Sequence, residues 1–178
     1  MKLLFVICII IFLVCIVSIF FLSKYHAIIS ILYKVNLADK KMNDSLSAKS
    51  DLIIRCIGII ERQLKIESKT FTDTKKLKGQ SMSNIDRDEL LEQSYLEIMQ
   101  INEDYNELDK VKSFPGIIED LNEIEANIIS LRTYYNKYTA IYNNYIAKFP
   151  NNLVALIKKL KKKNFYENTQ LGKDNISN

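Results

Sequence analysis

The sequence predicts an all-α protein, an N-terminal transmembrane helix followed by an antiparallel bundle of long helices. Three observations predict it. Leu3 to Leu22 form an unbroken run without a charge, in which Ser18 is the one hydroxyl residue. The 178-residue chain holds only four Gly and two Pro, so few positions interrupt a helix. Beyond the run, apolar residues recur at steps of three and four, the spacing that builds one packing stripe along a helix.

The first element is the apolar run. At about 1.5 Å rise per residue it reaches roughly 30 Å, the thickness of a bilayer's hydrocarbon core. A cleavable signal peptide has a shorter core and a small-residue cleavage site. The residues that follow here, Ser23-Lys24-Tyr25-His26, offer no such site. Cys8 follows Ile7 and Cys15 follows Val14, so a lipoprotein signal is discounted too. Residues 1–23 therefore read as a retained single-pass anchor, 24–163 as the helical bundle, and 164–178 as a polar, disordered tail. Lys24, Lys34, Lys40 and Lys41 after the span favour a cytoplasmic bundle. Lys2 directly before it is also how an export signal starts, and both orientations stay open.

The second helix is expected from about Tyr25 to Phe71, with Ile28, Leu32, Val35, Met42, Leu46, Ile53, Ile57, Ile60 and Leu64 on its stripe. Asp39 and Lys49 break that stripe. Residues 77–87 read as a loop. A third helix is expected from about Asp86 to Asp109. The clearest helix starts near Pro115 and stops before Pro150, as proline suits a first turn and the position after a helix end. Ile117, Leu121, Ile124, Ile128, Leu131, Tyr135, Tyr138, Tyr142, Tyr145 and Phe149 follow one another at alternating steps of four and three. That is the heptad seam of a coiled coil or helix bundle. A short segment, Leu153 to Leu160, ends in Lys161-Lys162-Lys163.

Charge alternates along the chain. Residues 24–82 carry twelve basic and six acidic side chains, residues 83–127 three and thirteen, and residues 128–178 nine and two. An acidic stretch between basic ones suits helices packed side by side. It argues against nucleic acid, which wants one continuous basic face.

Few residues offer chemistry. His26 is the one histidine, and Cys56 the one cysteine outside the apolar run. That set builds no disulfide framework and no zinc site. No Glu-x-x-His pair, phosphate loop or nucleophile elbow is present. No catalytic residue, cofactor, metal or small-molecule substrate is expected. Two surfaces remain. Tyr135, Tyr138, Tyr142, Tyr145 and Phe149 form an aromatic stripe suited to core packing or to a partner groove, since tyrosine buries a large ring and keeps a polar tip. Lys158, Lys159, Lys161, Lys162 and Lys163 form a candidate contact for anionic lipid.

The run Tyr134-Tyr135-Asn136, then Tyr142-Asn143, then Phe149-Pro150-Asn151-Asn152-Leu153-Val154-Ala155 resembles the LemA family. Glu125, Arg132, Asp51-Leu52-Ile53, Phe165-Tyr166-Glu167 and, near the span, Tyr25-His26 fit the same pattern. Ile54 and Asp39 depart from it, standing where the family usually has proline and often has tryptophan. The resemblance implies a bacterial inner-membrane protein with one N-terminal span and a four-helix bundle. It implies no established enzymatic activity, and a protein partner at the membrane, such as a membrane metallopeptidase or a second copy. The expected function is thus a membrane-anchored scaffold, with a membrane-shaping protein acting through its lysine cluster as the alternative.

Overall fold

The computed structural model describes residues 1–77 and 82–166. Part of the expected 77–87 loop, and the expected tail beyond Tyr166, lie outside the described residues. Among the described residues five α-helices follow in order: α1 (Lys2–Leu64), α2 (Lys69–Lys76), α3 (Asn84–Asp104), α4 (Phe114–Ala147) and α5 (Asn151–Ile157). A 3-10 turn, Leu108–Lys110, precedes α4. Among the described residues there is no strand.

The apolar run and the expected second helix are one element. α1 has 63 residues, or roughly 95 Å at helical rise. Neither Asp39, Lys49 nor Gly58 interrupts it. It stops at Leu64 because Lys65 turns into the left-handed region at φ 58°. Phe71 therefore belongs to a separate helix, opened by Ser68, whose hydroxyl oxygen accepts the Phe71 N–H at 3.1 Å. α3 begins earlier than expected because Ser83 is its cap. Its hydroxyl oxygen accepts the Asp86 N–H at 3.2 Å, while the hydroxyl donates to the Asp86 carboxylate at 2.6 Å. α3 also ends earlier, at Asp104, and Leu108 is buried by the 3-10 turn instead. α4 spans the expected interval.

The chain divides into two compact units. One combines Met1–Leu37 with Tyr135–Phe165, and the other combines Ala38–Tyr134 with Tyr166. In the second unit, side-chain contacts give the helix directions. Asp39 meets Asn84 and Asn43 meets Arg87, so α1 and α3 run the same way. Ser45 and Lys49 meet Asn127 and Glu125, Asp88 and Tyr95 meet Arg132 and Asn122, and Ser68 and Thr74 meet Glu97 and Ser94, so α4 opposes α1 and α3, and α2 opposes α3. The result is an up-down-up-down bundle. In the first unit, Lys34 lies over Tyr138 and Lys158 over Tyr25, so the C-terminal segments descend along α1.

Half of the α4 seam is core. Leu121, Ile128, Tyr135 and Tyr142 are buried, together with Phe114. The other half, Ile117, Ile124, Leu131, Tyr138 and Tyr145, is half-buried. The second buried line lies on the opposite flank at Glu125, Arg132, Thr139 and Ile146, seven residues apart. Phe149 falls off the seam: α4 ends at Ala147, and its ring is 79% exposed. Packing extends past residue 163, because Tyr166 is buried and its hydroxyl donates to Asp39 at 3.2 Å.

Candidate functional site

Five charged side chains meet inside the second unit. α1 supplies Lys49, α3 supplies Asp88 and Glu92 one turn apart, and α4 supplies Glu125 and Arg132 seven residues apart. Helical spacing puts each set on its inward face. All five are buried, and Lys49 has no exposed surface at all.

The pairing is dense. Arg132 holds Asp88 through two parallel bonds, Nε to Oδ2 at 2.6 Å and Nη2 to Oδ1 at 2.7 Å. The same Nη2 donates to Glu92 Oε2 at 3.1 Å and lies 3.6 Å from Glu125 Oε1. Lys49 Nζ donates to Glu92 Oε2 at 3.1 Å and to Glu125 Oε2. Nζ also sits 5.0 Å from the centre of the Tyr95 ring, whose hydroxyl donates to Asn122 at 2.9 Å. The space among the carboxylates is thus filled by an ammonium and a guanidinium. Chemically the arrangement locks the register of three helices; removing either cation leaves buried carboxylates short of counter-charge.

The cluster carries three carboxylates against two cations, and Glu125 Oε1 is buried without a hydrogen-bond partner. Burial pushes the Glu125 carboxyl above the usual carboxylate range, with Glu92 adding to the effect and Lys49 opposing it. Burial acts on Glu92 in the same direction. There Lys49 and Arg132 together outweigh it and hold the carboxyl below that range.

Opposite pH dependences follow. A carboxyl raised on folding contributes fully below its unfolded value, about 4.3, and its contribution is lost as pH rises through the folded value. A carboxyl lowered on folding contributes above about 4.3, and that contribution is lost as pH falls through the folded value. The stability of the wild type relative to Glu125→Gln should therefore fall as pH rises from about 4.3. Its stability relative to Glu92→Gln should rise with pH up to about 4.3. Thermal melts of the detergent-solubilised chains over a pH series check this, and slopes of the same sign would refute it.

Sequence reasoning missed this cluster. Lys49 reads as a break in an apolar stripe, and Asp88 and Glu92 carry no assigned role in the sequence. The available signal was position: Glu125 and Arg132 stand one heptad apart beside the seam, as do Thr139 and Ile146 after them.

The aromatic stripe lies in the first unit. Tyr135 and Tyr142 are buried there; the Tyr142 hydroxyl donates to the Lys161 carbonyl at 3.1 Å. Tyr138 carries Lys34 Nζ at 4.8 Å from its ring centre. The Tyr145 carbonyl accepts from Asn151 Nδ2 at 3.1 Å. The lysine cluster is split. Lys158 and Lys159 close α5, where Leu160 N–H to Ala155 O at 2.9 Å and Lys159 N–H to Leu156 O at 3.1 Å form a Schellman cap. Lys161–Lys163 run back along α4, where Asn143 holds both the N–H and the carbonyl of Lys163, at 2.9 and 2.8 Å. All five lysines are exposed.

In the second unit an open groove of about 600 Å³ runs between α1 and α4. Asp51, Asp120, Glu123 and Arg55 surround Leu52 and Ile124.

The LemA family model matches residues 38–177. No curated protein matches the chain. The matched range begins beyond the apolar run and leaves Tyr25-His26 outside. It contains the whole buried charge cluster, the tyrosine stripe and the lysines. A match over that share of the 178 residues means that the chain belongs to the LemA family.

Proposed function

We propose that this protein is a membrane-anchored helical scaffold without catalytic activity, which holds a partner protein at the surface of a bacterial inner membrane. One observation carries the reading. α1 runs without interruption from an apolar stretch, none of which is buried in the protein, into the packed interior of the bundle. A stretch of mean hydropathy 3.5 that none of the described residues covers is matched by a bilayer, and the unbroken helix ties the bundle to it.

The side chains best suited to chemistry support the non-catalytic part of this reading. The inward-facing carboxylates are occupied by Lys49 and Arg132. Burial pushes the Cys56 thiol up to about 12, which keeps it protonated and unreactive. His26 is exposed on α1 just past the apolar run.

The α1–α4 groove is the proposed partner surface. Three carboxylates and one guanidinium around an apolar floor suit a segment with basic residues on an apolar face. A photo-crosslinking residue at Leu52 in the full chain should capture a membrane protein in the native cell. The same residue at the exposed Gln100 on α3 should not. Equal capture at both positions would reject the groove. Loss of membrane fractionation on removal of residues 2–22 is expected, and full retention would reject the anchor.

A further inference from the structure

We propose that the α4–α5 corner is a second membrane contact. Phe149 and the outer face of α5 sink into the headgroup–acyl boundary of the leaflet from which α1 emerges, and Lys158 and Lys159 lie on anionic headgroups. The inference rests on the anchor reading and extends it from a tether to an oriented attachment.

α5 is apolar on two sides. Val154 and Ala155 face inward and are buried. Leu153, Leu156 and Ile157 stand at i, i+3 and i+4 on the outer side, with Leu156 75% exposed. Phe149, also exposed, stands two residues before the start of α5. Contiguous exposed apolar side chains mark a membrane or protein contact.

Position decides which. Tyr25 follows the last residue of the apolar run, Leu22, by three residues, about 4.5 Å along a helix. Lys158 Nζ lies 5.0 Å from the centre of the Tyr25 ring, so the end of α5 sits at the height where the span leaves the bilayer. Lys24 Nζ lies 5.3 Å from the Phe20 ring centre, its stem on the apolar run and its charge at that boundary. Tyr138 pairs with Lys34, about 14 Å further from the bilayer, so α4 descends toward the membrane and delivers the corner to it. A helix with lysines beside an apolar face, held in that layer, buries the face about 5–10 Å into the interface.

The geometry also sorts the lysine cluster. Tyr142 and Asn143 hold the backbone of Lys161–Lys163 back along α4, away from the span. Lys158 and Lys159 remain at headgroup height. The Schellman cap and the Asn151 to Tyr145 bond fix the corner in one shape, so contact requires no folding step.

The test uses the full chain with Cys8→Ala, Cys15→Ala and Cys56→Ala, reconstituted in vesicles of phosphatidylcholine and phosphatidylglycerol. A fluorophore is placed by Leu156→Cys, by Val17→Cys in the span, or by Ser130→Cys on α4. Quenchers attached to shallow and deep acyl positions, and aqueous iodide, report depth. The Val17 position should respond to deep quenchers, the Leu156 position to shallow ones, and the Ser130 position to iodide alone. Adding Lys158→Glu and Lys159→Glu should weaken shallow quenching at Leu156, with the circular dichroism spectrum unchanged. A Leu156 label as open to iodide as the Ser130 label, with the span still quenched, would overturn the corner contact and leave the anchor standing. A Leu156 label shielded from iodide and from lipid quenchers alike would mean that a second copy covers the face, and would also overturn it. A Val17 label untouched by lipid quenchers would overturn the anchor and the corner's placement together.

Discussion

Arg132→Met is expected to destabilise the second unit by about 3–5 kcal/mol, the usual loss when one partner of a buried ion pair is removed. The change deletes both bonds to Asp88 and the bond to Glu92, and leaves three buried carboxylates facing Lys49 alone. For a domain stable by about 5–15 kcal/mol, that is a large fraction of the total. At about 2–4 °C per kcal/mol for a chain of this size, the melting temperature should drop by roughly 6–20 °C. Lys49→Met should act in the same direction. Arg132→Lys should recover only part of the loss, because an ammonium cannot reproduce the paired bonds to Asp88. Lys137→Met, on an exposed position of α4, is the control and should move the melt little. Equal melts for Arg132→Met and Lys137→Met would refute the cluster's structural role.

The same energetics explain which parts of the fold were legible in the sequence. The apolar run, the near absence of Gly and Pro, and the proline-bounded α4 are local signals, and they identify long helices directly. Cap positions are legible only when the capping residue is considered with the partner three positions on, as with Ser68 and Phe71 or Ser83 and Asp86. The interior was harder. A heptad reading assigns the stripe to apolar residues, which selects Leu131 and Ile124 over Arg132 and Glu125. In the structure the charged residues win the inward positions, because each finds its counter-charge on another helix. That compensation depends on contacts across 40–76 residues of sequence, such as Arg132 with Glu92 and Lys49 with Glu125, so a local pattern can mark the positions but not the partners. Asp39 is the same case: it interrupts the α1 stripe, yet it receives Asn84 and Tyr166. Phe149 failed for another reason. The helical period stops with α4, and the residue past its end points away from the packed stripe.

Tyr142→Ala should carry the second large effect. Tyr142 is 1% exposed and lies in the core of the first unit. Truncating a buried aromatic costs about 3–5 kcal/mol, for lost apolar burial and for the cavity left behind. The change also releases the Lys161 carbonyl, one of the bonds that hold the C-terminal segment along α4. Tyr142→Phe keeps the ring and removes only the hydroxyl, so it should cost about 0.5–1.5 kcal/mol. Tyr135→Ala should behave like Tyr142→Ala, because that ring is buried as well. Tyr138 and Tyr145 are half-buried, so part of each ring is open to a partner while the rest packs. Their alanine variants should melt closer to the wild type. Melts of the four alanine variants, read beside a pull-down from membranes, separate packing from binding. A normal melt with lost partners at Tyr138 or Tyr145 would assign that ring to an interface, where tyrosines are frequent hot spots. A normal melt at Tyr142 would contradict that core, because a ring with 1% exposure cannot be deleted without leaving a void.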